Sequence, residues 1–393
     1  MTTKNNIPAG YKDSAVGIIP QEWEEKRLGA CFSIGHGRDY KHLSNGDIPV
    51  YGSGGIICYV GSFLHDGETV CIGRKGTINK PFYYNGPIWT VDTLFYTHSF
   101  QSVLPRYVGY LLDSIDWMRY NEATGVPSLT AKTISNIKKA VPPLQEQRKI
   151  AEILGAWDEA IEKQSRLIDK LELRKRALMQ RLLTGRTRLP GFTTPWQKVK
   201  LGEIGKFDKG VGVPKEKIVS EGCKAITYGE IYTKYDYVIK DFASYIDSDT
   251  AQTSKQISSG AIIFAGSGET LEDIGKCVAF IDNDKAYAGG DIIIFNPSIE
   301  VDSLVLSYIL NSPVAIAQKR RYGQGHSVVH IYQKDLARIE FELPSLPEQK
   351  AIAEVLTTAG KEIAIHRKKL DALRLQKRGL MQQLLTGKTR VKI

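Results

Sequence analysis

The sequence predicts an α+β protein written twice: two α/β globules separated by two long antiparallel coiled-coil helices, under a pseudo-two-fold internal repeat. Three observations carry this. "LMQRLLTGRTRL" (Leu178–Leu189) recurs as "LMQQLLTGKTRV" (Leu380–Val391), an offset of 202 positions. The residues ahead of each copy hold an apolar seven-residue period, the sign of helices wound on each other. The two remaining stretches are rich in Gly, Tyr, Val, Ile and Thr, with short apolar runs broken by Gly and Pro, which read as strands and tight turns.

At the same offset "LQEQRKIAEIL" (Leu144–Leu154) lies over "LPEQKAIAEVL" (Leu346–Leu356), so Leu144–Leu189 aligns with Leu346–Val391 without a gap. Upstream the likeness is weaker and its offset drifts. Trp23 falls over Trp196, Leu28-Gly29 over Leu201-Gly202, "TVDTLFY" (Thr90–Tyr96) over "GGDIIIF" (Gly289–Phe295), and "YLLDS" (Tyr110–Ser114) over "YILNS" (Tyr308–Ser312). Two repeats are too few for a solenoid and suit a pseudo-dimer within one chain. The expected divisions are 1–143, 144–189, 190–345 and 346–393: globule, helix, globule, helix.

Pro142-Pro143 stops the strand before the first helix, and Gly185 sits where a helix C-terminal glycine is expected. Between them run Ile150, Trp157, Gln164, Leu171, Leu178 and Leu154, Ile161, Ile168, Lys175, Leu182. The second copy repeats this as Ile352, Ala359, His366, Leu373, Leu380 and Leu356, Ile363, Leu370, Lys377, Leu384. Each rod should be roughly 55 Å long. Gln164 and His366 are equivalent polar intrusions; they should face each other or share a water near the two-fold axis and fix register, unless both point to solvent. The C-terminal half of each rod is basic: Arg174, Lys175, Arg176, Arg181, Arg186 and Arg188, then Arg374, Lys377, Arg378, Lys388 and Arg390. Such a run is either a solvated face that complements the helix dipole or a contact with phosphate or a protein partner.

In the globules, "RYVGYLLDSIDWMRY" (Arg106–Tyr120) and "DSLVLSYILNSPVAIAQKRR" (Asp302–Arg321) read as helices, and several loops combine glycine with polar or basic groups. In the first block these are "YGSGG" (Tyr51–Gly55), "GRKGTINK" (Gly73–Lys80) and "ATGVPSLT" (Ala123–Thr130). In the second they are "GSGETLEDIGK" (Gly266–Lys276) and "RRYGQGHSVVH" (Arg320–His330). Glycine lets a backbone approach a ligand, and Arg, Lys, Gln, Ser and Thr hold phosphates and read base edges. Any one of these residues also suits an ordinary surface loop. As a set, Tyr51, Ser53, Arg74, Lys75, Thr77, Lys80, Thr124, Ser128, Ser267, Lys276, Arg320, Arg321, Gln324, His326 and Ser327 are the candidate DNA contacts.

The net charge of +10, from 53 basic and 43 acidic residues, is compatible with nucleic acid without requiring it. The polar start "MTTKNNIPAGYKDS" has no signal-peptide core, and no segment is apolar enough to span a membrane. Five scattered cysteines without a C-x-x-C pair suggest neither a zinc site nor a disulfide framework, and fit a reducing cytoplasm. "GRKGT" is too short for a phosphate-binding loop, no H-E-x-x-H occurs, and "FNPS" (Phe295–Ser298) lacks the second Pro and the aromatic of the amino-methyltransferase motif. Nothing invites a catalytic or metal role.

With the repeat and the helix signatures in view, the chain resembles the DNA-specificity subunits of type I restriction-modification systems. The likeness rests on "GIIPQEWEEKRLG" (Gly17–Gly29), the openings "PPLQEQRKIAEIL" (Pro142–Leu154) and "LPSLPEQKAIAEVL" (Leu343–Leu356), and the closings "LLTGRTRL" (Leu182–Leu189) and "LLTGKTRV" (Leu384–Val391). It covers nearly the whole chain. The resemblance implies a non-catalytic, cytoplasmic subunit with two target-recognition domains, each reading one half of a split, asymmetric target in double-stranded DNA. It further implies docking of two methyltransferase subunits that bind S-adenosylmethionine, and of two ATP- and Mg-dependent restriction subunits, with no cofactor in this chain. The helices are then expected to set the gap between half-sites. Two rival readings are a stand-alone DNA-binding regulator and a protein scaffold whose loops show no salt-dependent DNA affinity.

Overall fold

Both rods form where the heptads place them, over Leu144–Leu182 and Leu346–Leu384. The computed structural model describes residues 7–325 and 328–393. The chain divides into two units, Met1–Arg166 with Arg367–Ile393, and Leu167–His366. Each long helix therefore lends one part to each unit. Among the described residues no helix is long and apolar enough to cross a membrane.

In the first unit the antiparallel strands Ser33–His36, Leu94–His98, Glu68–Gly73 and Phe82–Asn85 make one sheet in that spatial order. The hairpin of Asn45–Gly52 and Gly55–Val60, joined in parallel by Trp89–Thr90, makes a second. Glu24–Arg27 pairs with Lys138–Val141, which feeds the first long helix through Pro142-Pro143. Val70, Ile72 and Phe95 from the sheet meet Tyr107 and Leu111 of helix Pro105–Asp113. The same core takes Ile150 and Leu154 from the first long helix and Met381 and Leu384 from the second. The start of one rod thus packs beside the end of the other, antiparallel.

The second unit repeats the plan with a larger block. Gly205–Lys209, Ile292–Pro297, Ile262–Ala265, Cys277–Phe280 and Val238–Ile239 form a five-stranded sheet, and a second five-stranded sheet lies in the same block. Ile262–Ala265 and Cys277–Phe280 are buried at every position, which explains their unbroken apolar runs. Helix Ser303–Leu310 is capped by the Asp302 carboxylate, which accepts from the Val305 N–H. Leu182, Ile352 and Leu356 from the two rods close this core.

The repeated signatures meet one another, which explains why they recur. In the first unit Arg390, just past the end of the second rod, donates from Nε and Nη2 to Glu146 at 2.8 and 3.0 Å. Trp23 Nε1 donates to the same carboxylate at 2.9 Å. In the second unit Arg188 donates to Glu348 at 2.6 and 2.7 Å, and Trp196 Nε1 at 3.0 Å. Both glutamates are 0% exposed. The adjacent Gln147 and Gln349 also act alike: each donates to a proline carbonyl before its helix, Pro142 or Pro344, and accepts a backbone N–H from its globule, Leu104 or Asp302. The returning arm needs a left-handed residue after each rod. Gly185 (φ 66°) and Gly387 (φ 71°) supply it, and a Cβ at Gly387 would stand 2.5 Å from Pro20.

These ties revise the reading of the basic run. Arg188 and Arg390 grip buried carboxylates, Lys377 pairs with Asp158 at 2.6 Å, Arg174 pairs with Glu362, and the Lys175 amine lies over Tyr237 and Tyr308. Arg176, Arg181, Arg186, Arg378 and Lys388 remain exposed. Gln164 is buried and His366 is half-buried, each on its own rod.

Candidate nucleic-acid interface

The three loops singled out in the first block come together. Lys75 pairs with Ser128, the Gly76 N–H donates to the Pro127 carbonyl at 2.8 Å, and the Leu129 N–H to the Arg74 carbonyl at 2.9 Å. Ser53, in the turn of the third loop, has its hydroxyl 3.2 Å from where a Cβ at Gly76 would lie. The stretch Thr90–Leu94 is a hub that anchors the loops at Tyr51–Gly55 and Gly73–Lys80, on which the third loop rests. Its carbonyls accept the N–H of Arg38 (Thr90), Arg74 (Thr93) and Gly37 (Leu94), and its Val91 N–H donates to Tyr51. Asn121, which no sequence signal marked, shapes the third side: Oδ1 accepts from the Ala123 and Ser128 N–H groups.

On this frame Arg74, Lys75, Lys80 and Thr124 are exposed, while Ser53, Thr77 and Ser128 are half-buried. Arg74 is posed by Nη1 donating to the Asp92 carbonyl at 3.3 Å and by the Phe95 ring below it. Tyr51 is held by Phe82 and Tyr84, with ring centroids 4.9 and 5.7 Å away. Arg38 is an exposed basic side chain on the same hub; its carbonyl accepts the Trp89 indole N–H at 2.9 Å. "GHGRDYKH" (Gly35–His42) looks like any polar loop, so only the fold reveals Arg38.

The second block uses the equivalent hub, Gly289–Ile292. The Gly210 N–H donates to the Ile292 carbonyl, the Gly266 N–H to Asp291, and the Gly290 N–H to Gly212. Ser267–Gly268 pairs with Val329–His330, and the Ile331 N–H donates to the Gly266 carbonyl, joining the two predicted loops. Arg320, Arg321 and Gln324 are exposed; Arg320 pairs with Glu272 at 2.7 Å, and the backbone of Gln324 pairs with His330. His326 and Ser327 lie outside the described residues.

Two candidates point inward. Ser267 is buried, and its hydroxyl shares a 2.9 Å hydrogen bond with His330 Nδ1. Lys276 donates to the carbonyls of Tyr235 (2.8 Å) and Tyr232 (3.4 Å), and burial lowers its pKa. Their geometry makes them braces behind the loops.

Lys319 goes further. It stands 202 residues after Trp117, both are fully buried, and its amine donates to the Gly275 carbonyl at 2.6 Å. Burial holds its pKa below the ordinary lysine value of 10.5. The unfolded chain therefore binds more protons in the window between the folded value and 10.5, so this group makes stability rise with pH there. Lys319→Met should flatten that rise relative to the parent chain in urea unfolding across the alkaline range. Parallel curves would refute this role.

Comparison with known proteins agrees with this architecture. The family described as "Type I restriction modification DNA specificity domain" matches residues 20–173 and 193–375, one span for each repeat. The type I restriction enzyme MjaVIII specificity subunit of Methanocaldococcus jannaschii is 28% identical over 285 residues, 69% of this chain and 66% of that relative. The chain thus spans about two thirds of that curated relative. The crystal structure of the type I restriction-modification S subunit from M. genitalium superposes with a TM-score of 0.62 at 14% identity, covering 98% of each chain. A chain from work on complex assembly and conformational transition of the type I R-M system gives 0.60 at 16% identity, covering 94% of this chain and 99% of that one. At such identities the superpositions speak for the fold. The repeated fold and the two matched spans together place this chain in the type I restriction-modification DNA specificity family.

Proposed function

We propose that this chain is the non-catalytic reader of a DNA-modifying complex, with each unit reading one half of a split, asymmetric target. The carrying observation is that the same cluster of Gly-rich, polar and basic loops is built on equivalent hubs in both units, Thr90–Leu94 and Gly289–Ile292. Blocks 1–143 and 190–345 are the target-recognition domains, and 144–189 and 346–393 the helical spacers. The loops differ between units, with Arg74 and Lys75 in one and Arg321 and Gln324 in the other, as two different half-sites require.

In this reading the partners are two methyltransferase subunits, which bind S-adenosylmethionine, and two ATP- and Mg-dependent restriction subunits, all working in the cytoplasm. Gln164 and His366 set the register of the rods, and the rods set the gap in the target. The test is to express the chain with the methyltransferase encoded beside it and map N6-methyladenine across the host genome. A split motif methylated on both strands is expected. No new motif from a well-folded complex would overturn the reading in favour of a stand-alone regulator.

A further inference from the structure

Exposed aliphatic side chains scattered singly on a surface need no explanation. Two here share one address. Val126 is 59% exposed and Val328 is 50% exposed, and they lie 202 positions apart, at equivalent places in the two units. Val126 comes two residues before Ser128, which pairs with Lys75; Val328 comes two residues before His330, which pairs with Ser267. Neither core needs them, because Leu129 in one unit and Val329 and Ile331 in the other fill the inward positions.

The surroundings of Val126 are cationic and polar, and Val328 holds the equivalent place in the second unit. Next to Val126, the Pro127 carbonyl accepts the Gly76 N–H, one residue from Lys75 and two from Arg74. Val328 leads into the strand whose His330 pairs with Gln324, close in sequence to the exposed Arg321. A protein partner would call for a contiguous apolar patch of a few hundred Å². A single β-branched side chain among hydroxyls and cations suits a polyanion that carries isolated methyl groups. The DNA major groove is such a surface: the thymine C5-methyl is the apolar feature of its base edges, beside acceptors and phosphates.

We infer that Val126 and Val328 each contact a thymine methyl group in the half-site read by their own unit. This rests on the DNA-reading function proposed above. The experiment uses the complex of the full chain with its methyltransferase, and duplexes carrying the mapped motif. The thymines of one half-site are replaced by uracil, which lacks only the methyl, and binding is followed by fluorescence anisotropy at fixed salt. Each half-site should bind about fourfold more weakly for every valine-facing methyl that uracil removes. Val126→Ser should bind the thymine duplex as weakly as the parent binds the uracil one and no longer distinguish them. The other half-site should respond in the same way to Val328→Ser alone. Both side chains are exposed, so unchanged melting temperatures should accompany these results.

Equal binding of thymine and uracil duplexes by the parent complex overturns the inference, and so does a uracil penalty that survives in the valine variants. A half-site without thymine on either strand overturns it too. Loss of methyltransferase assembly in Val126→Ser, with both duplexes bound alike, would reassign the valine to a protein interface. In each of these cases the DNA-reading function stands. A complex that binds no duplex and methylates no motif overturns both.

Discussion

Arg390→Met is expected to lower the stability of the chain by about 3 kcal/mol, because it strands a carboxylate that is wholly withdrawn from water. Glu146 is 0% exposed and receives two guanidinium bonds from Arg390 and one from the Trp23 indole. The hydrogen bond to Glu146 and burial act oppositely on Arg390, and the net effect holds its pKa above the usual arginine value. The Arg390 side chain is 35% exposed, which sets the figure at the low end of the range for buried pairs. Urea unfolding measures the change. A loss of only a few tenths of a kcal/mol, as for a surface ion pair, would show that Glu146 finds water or another donor. Arg188→Met should act in the same direction in the second unit, through Glu348.

Arg74→Ala and Arg321→Ala should each relax one base position of the recognised motif, in different halves, at a cost of about 1–3 kcal/mol in binding. Arg74 is chosen because its guanidinium is already oriented by the Asp92 carbonyl and the Phe95 ring. Arg321 is chosen over Arg320 because Glu272 already pairs with Arg320. The methylated motif of each variant, mapped across the genome, gives the readout. Uniform weakening across sequences, with a shallower salt dependence, would make the residue a phosphate contact. Binding by the double variant equal to that of the parent would remove both from the interface.

Periodic features were legible in the sequence, and polar destinations were not. The heptads placed both rods because burial selects Ile150, Leu154, Ile352 and Leu356 at fixed spacing. Glycine placed the first return at Gly185, and Gly387 in the repeated closing shares its positive φ. The loops of each block were recognised one by one, but their meeting around Thr90–Leu94 in one unit and Gly289–Ile292 in the other depends on backbone hydrogen bonds between distant residues, which leave no local pattern. A lysine reads the same whether it faces water or a carbonyl. Lys276 therefore looked like Lys75, although it binds Tyr235, and nothing in the sequence set Lys319 apart from the other residues of its helix. For the same reason the basic run holding Arg188 and Arg390 read as either a solvated face or a contact with phosphate or a protein partner, since the glutamates they grip lie 160 and 244 positions away in the chain.

The division of the chain also dictates an order of events at the ribosome. Leu167–His366 is one uninterrupted stretch, whereas the other unit needs Met1–Arg166 and then Arg367–Ile393. Synthesis proceeds at about 5–20 residues per second, so roughly ten seconds or more separate Arg166 from Arg367. Throughout that interval Ile150 and Leu154 lack Met381 and Leu384, and the Glu146 carboxylate lacks Arg390. The inserted unit has by then received all of its own residues, including Arg188 and Glu348. The unit that is begun first is therefore the one finished last, and until its own tail arrives the nascent chain carries an open apolar seam.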